Sequence, residues 1–161
     1  MKKKYSLIIE SAIKASNNSY SPYSNFKVGA AILTDNNKIF TGTNIENASL
    51  GLTVCAERIA LFKAVSEGYK NFQVIAIATN DGSYPCGACR QVLNEFSSDL
   101  TVIVADFKKK QIVETKLKDL LPYSFDLKWI LMDPLIVRIL NKKLLPILTL
   151  KQHDFMFHIA A

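Results

Sequence analysis

No histidine precedes His153, and the chain of 161 residues contains only three cysteines. An odd number of cysteines without a secretion signal argues against a disulfide scaffold and favours a reducing cytoplasm, where thiols remain available for a metal. No apolar segment near the N-terminus is long enough for a signal peptide, because the run that follows the first lysines ends at Glu10. The composition therefore predicts a cytoplasmic protein.

A long uninterrupted apolar run is also missing. Residues 129–150 are rich in isoleucine and leucine, but charged residues and prolines interrupt them repeatedly. A membrane span needs about 20 predominantly apolar residues, so no membrane association is expected. The net charge of +6 arises partly from lysine runs at 2–4 and 108–110. Such runs usually face solvent, and no basic stretch is interleaved with aromatics, so no nucleic-acid partner is expected either.

The apolar periodicity predicts one domain whose elements alternate between helices and strands. Helices are expected over 5–16 and 55–67, from about 87, and over 117–121. Strands are expected over 26–33, 38–42, 72–78, 100–105 and 111–114. Thr53 is the expected N-cap of the second helix. The order α-β-β-α-β-α-β-β-α predicts a mixed five-stranded sheet with helices on both faces, which is a three-layer α/β/α sandwich.

The three cysteines fall at two predicted helix starts. Cys86 and Cys89 form a Cys-x-x-Cys motif, which by itself could be a redox pair or two buried thiols. Cys55 can join them, and three thiolates with an open fourth position are typical of catalytic zinc. A structural zinc site would need a fourth ligand, for which the C-terminal region offers His153 or His158. The sequence favours the open catalytic site over these alternatives.

Three charged residues accompany the cysteines. Glu57 lies two residues after Cys55 and could carry protons to and from a metal-bound water. Alternatively, it is a first-turn glutamate that the helix dipole favours. Arg58 and Arg90 each follow a key residue, and we hypothesise that one or both donate hydrogen bonds to the sulfurs. Such bonds would offset the net negative charge of three thiolates on Zn²⁺; otherwise both are surface arginines.

The stretches Cys55-Ala56-Glu57 and Pro85-Cys86-Gly87-Ala88-Cys89-Arg90-Gln91 together resemble the signature of zinc-dependent nucleoside and nucleobase deaminases. More narrowly, the sequence resembles the small, homotetrameric cytidine deaminases, which it also matches over 20–31, 42–48, 55–68 and 120–122. The resemblance implies a cytidine deaminase domain over 1–126. It leaves 127–161 as a C-terminal extension, which could be a packed helix, a loosely ordered appendage or sequence without a selected function.

The resemblance also implies an activity, namely hydrolytic deamination of free cytidine and 2′-deoxycytidine to uridine and deoxyuridine plus ammonia, as in pyrimidine salvage. One Zn²⁺ per subunit would be held by Cys55, Cys86 and Cys89. Zinc-activated hydroxide would attack C4 of the base, and Glu57 would act as the proton shuttle.

Several substrate contacts follow from the same resemblance. Asn44 and Glu46 are expected to hold the ribose hydroxyls, Phe26 to stack against the pyrimidine, and Ala56 to contact the base through its backbone. Phe125 is expected to reach the site of a neighbouring subunit, which makes a homotetramer part of the expected function.

Two other functions fit parts of the pattern. Deaminases of modified nucleosides or of nucleoside antibiotics such as blasticidin S share the zinc motifs but differ at the pocket rim. Leu50 stands where the resembled family frequently has tyrosine, so the rim is not fixed by the resemblance. A non-catalytic, zinc-stabilised assembly module would instead require His153 or His158 to close the metal site.

Overall fold

The structure, a computed structural model, describes residues 5–106, 108 and 111–127. The helices in these residues are α1 (Ser6–Ser16), α2 (Ala56–Ser66), α3 (Gly87–Asn94) and α4 (Leu117–Leu120), with a short 3₁₀ turn at Leu50–Leu52. The strands are β1 (Gly29–Thr34), β2 (Ile39–Thr43), β3 (Phe72–Thr79), β4 (Thr101–Asp106) and β5 (Gln111–Lys116). Their order along the chain is the predicted one.

The five strands form one mixed sheet in the order β2-β1-β3-β4-β5. Only the central pair β3 and β4 is parallel, and the other neighbouring strands are antiparallel. A parallel pair needs a crossover connection, which α3 provides. The parallel register pairs Thr79 with Asp106 at one edge of the sheet, so the loop that leaves β3 towards α3 begins at that edge.

Alternate residues of the sheet face two separate layers of helices. On one face, Ile75 and Ile77 of β3 pack in a core that includes Ala60 and Leu61 of α2. On the other face, Val74 and Ala76 pack in a core with residues of α1. Because side chains alternate along a strand, the apolar run of β3 supplies both cores. The predicted three-layer fold is confirmed.

The start of α2 is held close to the sheet by a glycine. A Cβ atom at Gly42 of β2 would overlap the carbonyl oxygen of Ala56 and the amide nitrogen of Ala60. Only a residue without a side chain allows this approach. Gly42 therefore fixes the height at which the first turn of α2, with Ala56 and Glu57, lies above the sheet.

Two local predictions were wrong. β1 begins at Gly29 instead of residue 26, because the Asn44 side chain accepts from the Val28 amide at 2.9 Å and donates to the Phe26 carbonyl at 2.8 Å. Thr53 does not cap α2, because Cys55 occupies the N-cap position. The Thr53 hydroxyl instead accepts from the Asn47 amide at 3.1 Å and so closes the preceding loop.

The chain divides into two compact units, Met1–Ser124 and Phe125–Ala161. Only residues 125–127 of the second unit belong to the described part of the structure. The predictions about the extension from residue 128 onward, and about His153 and His158, lie outside the described residues. Among the described helices, none combines the length and apolarity that crossing a membrane would require.

Candidate active site

The three cysteines meet where two helices begin. Cys55 is the N-cap of α2, Cys86 is the N-cap of α3, and Cys89 lies in the first turn of α3. Their Sγ atoms all lie within 4.8 Å of one another, and those of Cys55 and Cys86 are 3.9 Å apart. All three thiols are free. Both helix N-termini favour negative charge, so they stabilise thiolates at this point.

The spacing of the sulfurs fits a tetrahedral zinc ion. Zinc binds thiolate at about 2.3 Å, which places two sulfurs of a tetrahedral site about 3.8 Å apart. The Cys55–Cys86 separation agrees with this distance. Within the described residues, no further histidine, cysteine or carboxylate belongs to the cluster. The donor set therefore suits zinc with one coordination position left for a small ligand.

The cluster already favours a thiolate at Cys55. A hydrogen bond from the Cys89 thiol, together with Arg58, lowers the pKa of Cys55 to about 5. The same hydrogen bond to Cys55 raises the pKa of Cys89 well above its usual range. When a divalent cation binds to neighbouring thiols, it displaces the proton that they share.

The two predicted arginines have different partners. Arg58 Nη2 lies 3.7 Å from Cys55 Sγ and donates to the Thr53 carbonyl at 3.1 Å. Arg90 donates through Nε to the Pro85 carbonyl at 2.6 Å and through Nη1 to the Leu120 carbonyl at 2.9 Å. Arg58 thus faces a sulfur, whereas Arg90 ties α3 to the loop before it and to α4.

Glu57 is buried beside the cluster, with only 4% of its surface exposed. Burial raises the pKa of its carboxyl group, and the negative charge of Cys55 adds to this effect. A carboxyl group with a raised pKa holds a proton more readily than a solvated one, which suits proton exchange with a neighbouring ligand. The side chain is therefore suited to proton transfer.

A cavity of about 400 Å³ opens onto the cluster. Of the residues predicted from the sequence, it is lined by Phe26, Asn44, Glu46, Cys55, Ala56, Glu57 and Cys86. Sequence reasoning missed the other lining residues, which are Ser24, Val28, Thr53, Ile77, Thr79, Ser83 and Tyr84. Only Ser83 and Tyr84 carried a usable signal, since they stand directly before Pro85-Cys86.

Asn44 is buried and holds the mouth of the cavity in shape. Its Oδ1 accepts from Ser19 Oγ at 2.6 Å and from the Val28 amide, while Nδ2 donates to Phe26. These bonds leave one of the two Nδ2 hydrogens for a ligand. Asn44 therefore both builds the wall that carries Phe26 and retains a donor.

Glu46 lies at the exposed rim of the same cavity. Its carboxylate accepts from the amides of Tyr23 at 2.9 Å and Ser24 at 3.2 Å, and from the Ser24 hydroxyl. The hydroxyl bond is the main cause of the lowered pKa of Glu46. The group is thus an oriented, ionised acceptor, which suits recognition of hydroxyl groups.

Two further residues of the prediction are exposed. Leu50 is 72% exposed in its 3₁₀ turn, and Phe125 is 60% exposed in the second unit. The expectation that Phe125 serves a neighbouring subunit stays a prediction.

The fold and the three-sulfur centre define a class of protein, the zinc-binding deaminases. Residues 2–105 match the family model described as the cytidine and deoxycytidylate deaminase zinc-binding region. The chain belongs to this family. The predictions of family and of zinc as cofactor are therefore confirmed.

Known relatives agree with this assignment. The chain is similar to a cytidine deaminase of Halalkalibacterium halodurans, with 46% identity over 121 residues that cover 74% of this chain and 92% of the relative. The crystal structure of a cytidine deaminase from Burkholderia pseudomallei is 44% identical, with a TM-score of 0.72, and the match covers 78% of this chain and all of that one. A blasticidin-S deaminase of Bacillus cereus is 32% identical over 108 residues, covering 61% of this chain and 76% of the relative.

Proposed function

We propose that this chain catalyses hydrolytic deamination of free cytidine and 2′-deoxycytidine to uridine and deoxyuridine, with release of ammonia. The observation that carries the proposal is that one cavity is lined by two sulfurs of the three-cysteine cluster, by the buried Glu57 and by a polar rim with Asn44 and Glu46. A metal centre with a proton carrier suits hydrolysis, and the polar rim suits a free sugar. Its place in metabolism is pyrimidine salvage.

In the proposed reaction a C4–O bond forms and the C4–N bond breaks, so that water replaces the amine. When bound, the zinc supplies a Lewis acid that activates the attacking water. Glu57 takes a proton from that water and passes it to N3 of the ring. It then takes the proton of the new C4 hydroxyl group and delivers it to the departing amine, so that C4 becomes a carbonyl carbon and ammonia leaves. The burial that raises the pKa of Glu57 supports this role, because the carboxyl group must alternate between its two protonation states.

The substrate contacts are proposed on the same basis. Asn44 and Glu46 hold the ribose hydroxyls, with the remaining Nδ2 hydrogen and the oriented carboxylate described above. Phe26, on the segment that Asn44 fixes, stacks against the pyrimidine. The backbone of Ala56, next to Cys55 at the helix start, contacts the base.

Arg58 is the residue that we propose offsets the charge of the metal centre. Three thiolates on Zn²⁺ sum to one net negative charge, which weakens the ion as a Lewis acid. A guanidinium group 3.7 Å from Cys55 Sγ withdraws electron density from that sulfur and so counteracts the effect. Arg90 does not need to share this role, since its guanidinium group donates to two backbone carbonyl groups.

The proposal extends to the assembly and the compartment. The deaminase domain comprises residues 1–126, the extension comprises 127–161, and the working form is a homotetramer in which Phe125 reaches the site of a neighbour. The exposure of Phe125 is compatible with such a contact. A cytoplasmic location suits a centre built from three free thiols, which a reducing compartment preserves.

The direct test uses the full chain purified with zinc. It is incubated separately with cytidine, 2′-deoxycytidine, blasticidin S and a single-stranded oligonucleotide that contains cytosine. We expect deamination of both nucleosides and little change in the oligonucleotide. Turnover of blasticidin S in preference to cytidine would reassign the substrate, and a zinc-loaded protein without activity on any of the four would contradict the proposal.

A further inference from the structure

One wall of the cavity has no role in the mechanism described above. It is formed by the loop between β3 and α3, and it contributes Ser83 and Tyr84 to the lining. Tyr84 is 46% exposed. It stands immediately before Pro85-Cys86, so this aromatic ring is connected almost directly to a metal ligand.

Hydrogen bonds and two conformationally restricted residues fix the backbone of the loop that carries Tyr84. Asp81 Oδ1 accepts from Thr79 Oγ1 at 3.1 Å, from the Ser83 amide at 3.0 Å and from Ser83 Oγ at 2.6 Å. Gly82 has a φ of 73°, and a Cβ atom there would lie 3.2 Å from the Cβ of Asp106. On the other side, Pro85 restricts the backbone of the residue that precedes it to extended conformations.

The geometry of the ring decides which part of a substrate faces this wall. In cytosine, the reacting atom C4 lies between N3 and C5. Glu57 serves N3 and belongs to α2, two residues after Cys55. Tyr84 lies on the other arm of the cluster, two residues before Cys86, whose sulfur is 3.9 Å from that of Cys55. Both Glu57 and Tyr84 line the cavity, and the orientation that fits the inference has N3 at Glu57 and C5 at the wall that carries Tyr84.

We propose that Tyr84 is a specificity-determining residue that limits the size of the substituent at C5 of the pyrimidine. The inference rests on the proposed function and deepens it. A hydrogen atom at C5 leaves room for the aromatic side chain, whereas a bulky group must displace a ring whose backbone is positioned by the contacts of Asp81, Gly82 and Pro85. Two substrates that differ by one small group in a pocket commonly differ in kcat/KM by about tenfold or more.

The test compares kcat/KM for cytidine with that for 5-fluoro-, 5-bromo- and 5-iodocytidine. Tyr84→Ser should raise the ratio of 5-bromocytidine to cytidine by about tenfold, with a larger gain for iodine and little for fluorine. Tyr84→Trp should lower the same ratio, and Tyr84→Phe should leave it unchanged because the bulk is retained. Intrinsic reactivity of the halogenated bases cancels, because each ratio is compared with that of the unaltered chain.

Tyr123→Ser is the matched control, since Tyr123 is fully exposed and does not line the cavity; its ratios should equal those of the unaltered chain. Ratios that stay constant in both Tyr84→Ser and Tyr84→Trp, while cytidine is still turned over, would overturn the proposal. Failure of the proposed function has a different signature, which is an unaltered, zinc-loaded chain that deaminates neither cytidine nor its 5-substituted forms.

Discussion

The starts of α2 and α3 resemble each other in sequence and differ in what they do. Each helix has a cysteine at its N-cap, and each carries an arginine within four residues of it. Arg58 faces the Cys55 sulfur, while Arg90 donates to two backbone carbonyl groups. Two residues after the N-cap, α2 has Glu57 and α3 has Ala88. One helix start therefore combines the proposed proton carrier with an arginine that faces a sulfur, and the other contributes two sulfurs to the cluster and is anchored by Arg90.

The difference shows that neighbours in sequence acquire separate roles through tertiary contacts. Arg58 is three residues after Cys55, a spacing that places two side chains on the same face of a helix. Arg90 is four residues after Cys86, a spacing that also places two side chains on one face of a helix, so spacing alone does not separate the two arginines. The guanidinium group of Arg90 reaches instead to the Leu120 carbonyl at the end of α4. Replacing Arg58 and replacing Arg90 should therefore affect different properties of the protein.

The largest expected effect comes from Glu57→Gln, which removes the proposed proton carrier, for which α3 has no counterpart. Positioned general acid–base groups contribute about 10²–10⁴-fold, so kcat with cytidine should fall by that factor while zinc content stays unchanged. Metal analysis and a steady-state assay on the same sample provide the measurement. Glu67→Gln at the other end of α2 is the control. Near-normal turnover in Glu57→Gln would refute the assigned role.

The next effect concerns how firmly each helix start is held. Gly42→Ala forces a Cβ atom into the backbone of α2, and overpacking of this kind costs about 1–3 kcal/mol of stability. The matched variant is Gly87→Ala at the start of α3, where a Cβ atom meets nothing within 4 Å. Denaturant unfolding should show a clear loss for the first variant and almost none for the second. Equal stabilities of the two variants would mean that the close contact between α2 and Gly42 does not determine the position of the helix.

A smaller effect is expected for Arg58→Ala. Loss of a hydrogen bond to a charged sulfur removes about 1.5–3 kcal/mol, part of which acts on the metal centre. We expect kcat/KM to fall about tenfold, with folding stability changed little. Zinc content and turnover that both match those of the unaltered chain would remove the charge-offsetting role. Lysine at this position should restore part of the activity, because it restores the charge.

The smallest effect is expected for Arg90→Ala, and it concerns stability. Its bonds to the Pro85 and Leu120 carbonyl groups are partly exposed, so their combined loss should cost about 1.5 kcal/mol and lower Tm by about 4 °C. The turnover of the folded enzyme should change less than in Arg58→Ala. Thermal unfolding and activity measured side by side on the two variants test this contrast. A larger activity loss in Arg90→Ala would reverse the comparison.

Sequence reasoning succeeded where local patterns carry the information. The apolar run of β3 and the hairpin before it predicted the sheet and its two helical layers, and the cysteine spacing predicted that the three sulfurs cluster. It failed where a distant side chain decides the local structure, since the Asn44 amide shortens β1 at Phe26. It left open which arginine faces a sulfur, because that depends on the Leu120 carbonyl group that accepts from Arg90. The wall with Ser83 and Tyr84 was missed for the same reason, because cavity lining depends on packing between distant segments.

The most direct test of the account measures zinc and cytidine turnover together in the full chain and in Glu57→Gln. Metal analysis should give one zinc per chain in both proteins. Loss of cytidine absorbance with equimolar ammonia should occur only in the unaltered chain. An unaltered chain that holds one zinc and leaves cytidine intact, or a Glu57→Gln variant that deaminates it at a similar rate, would contradict the account.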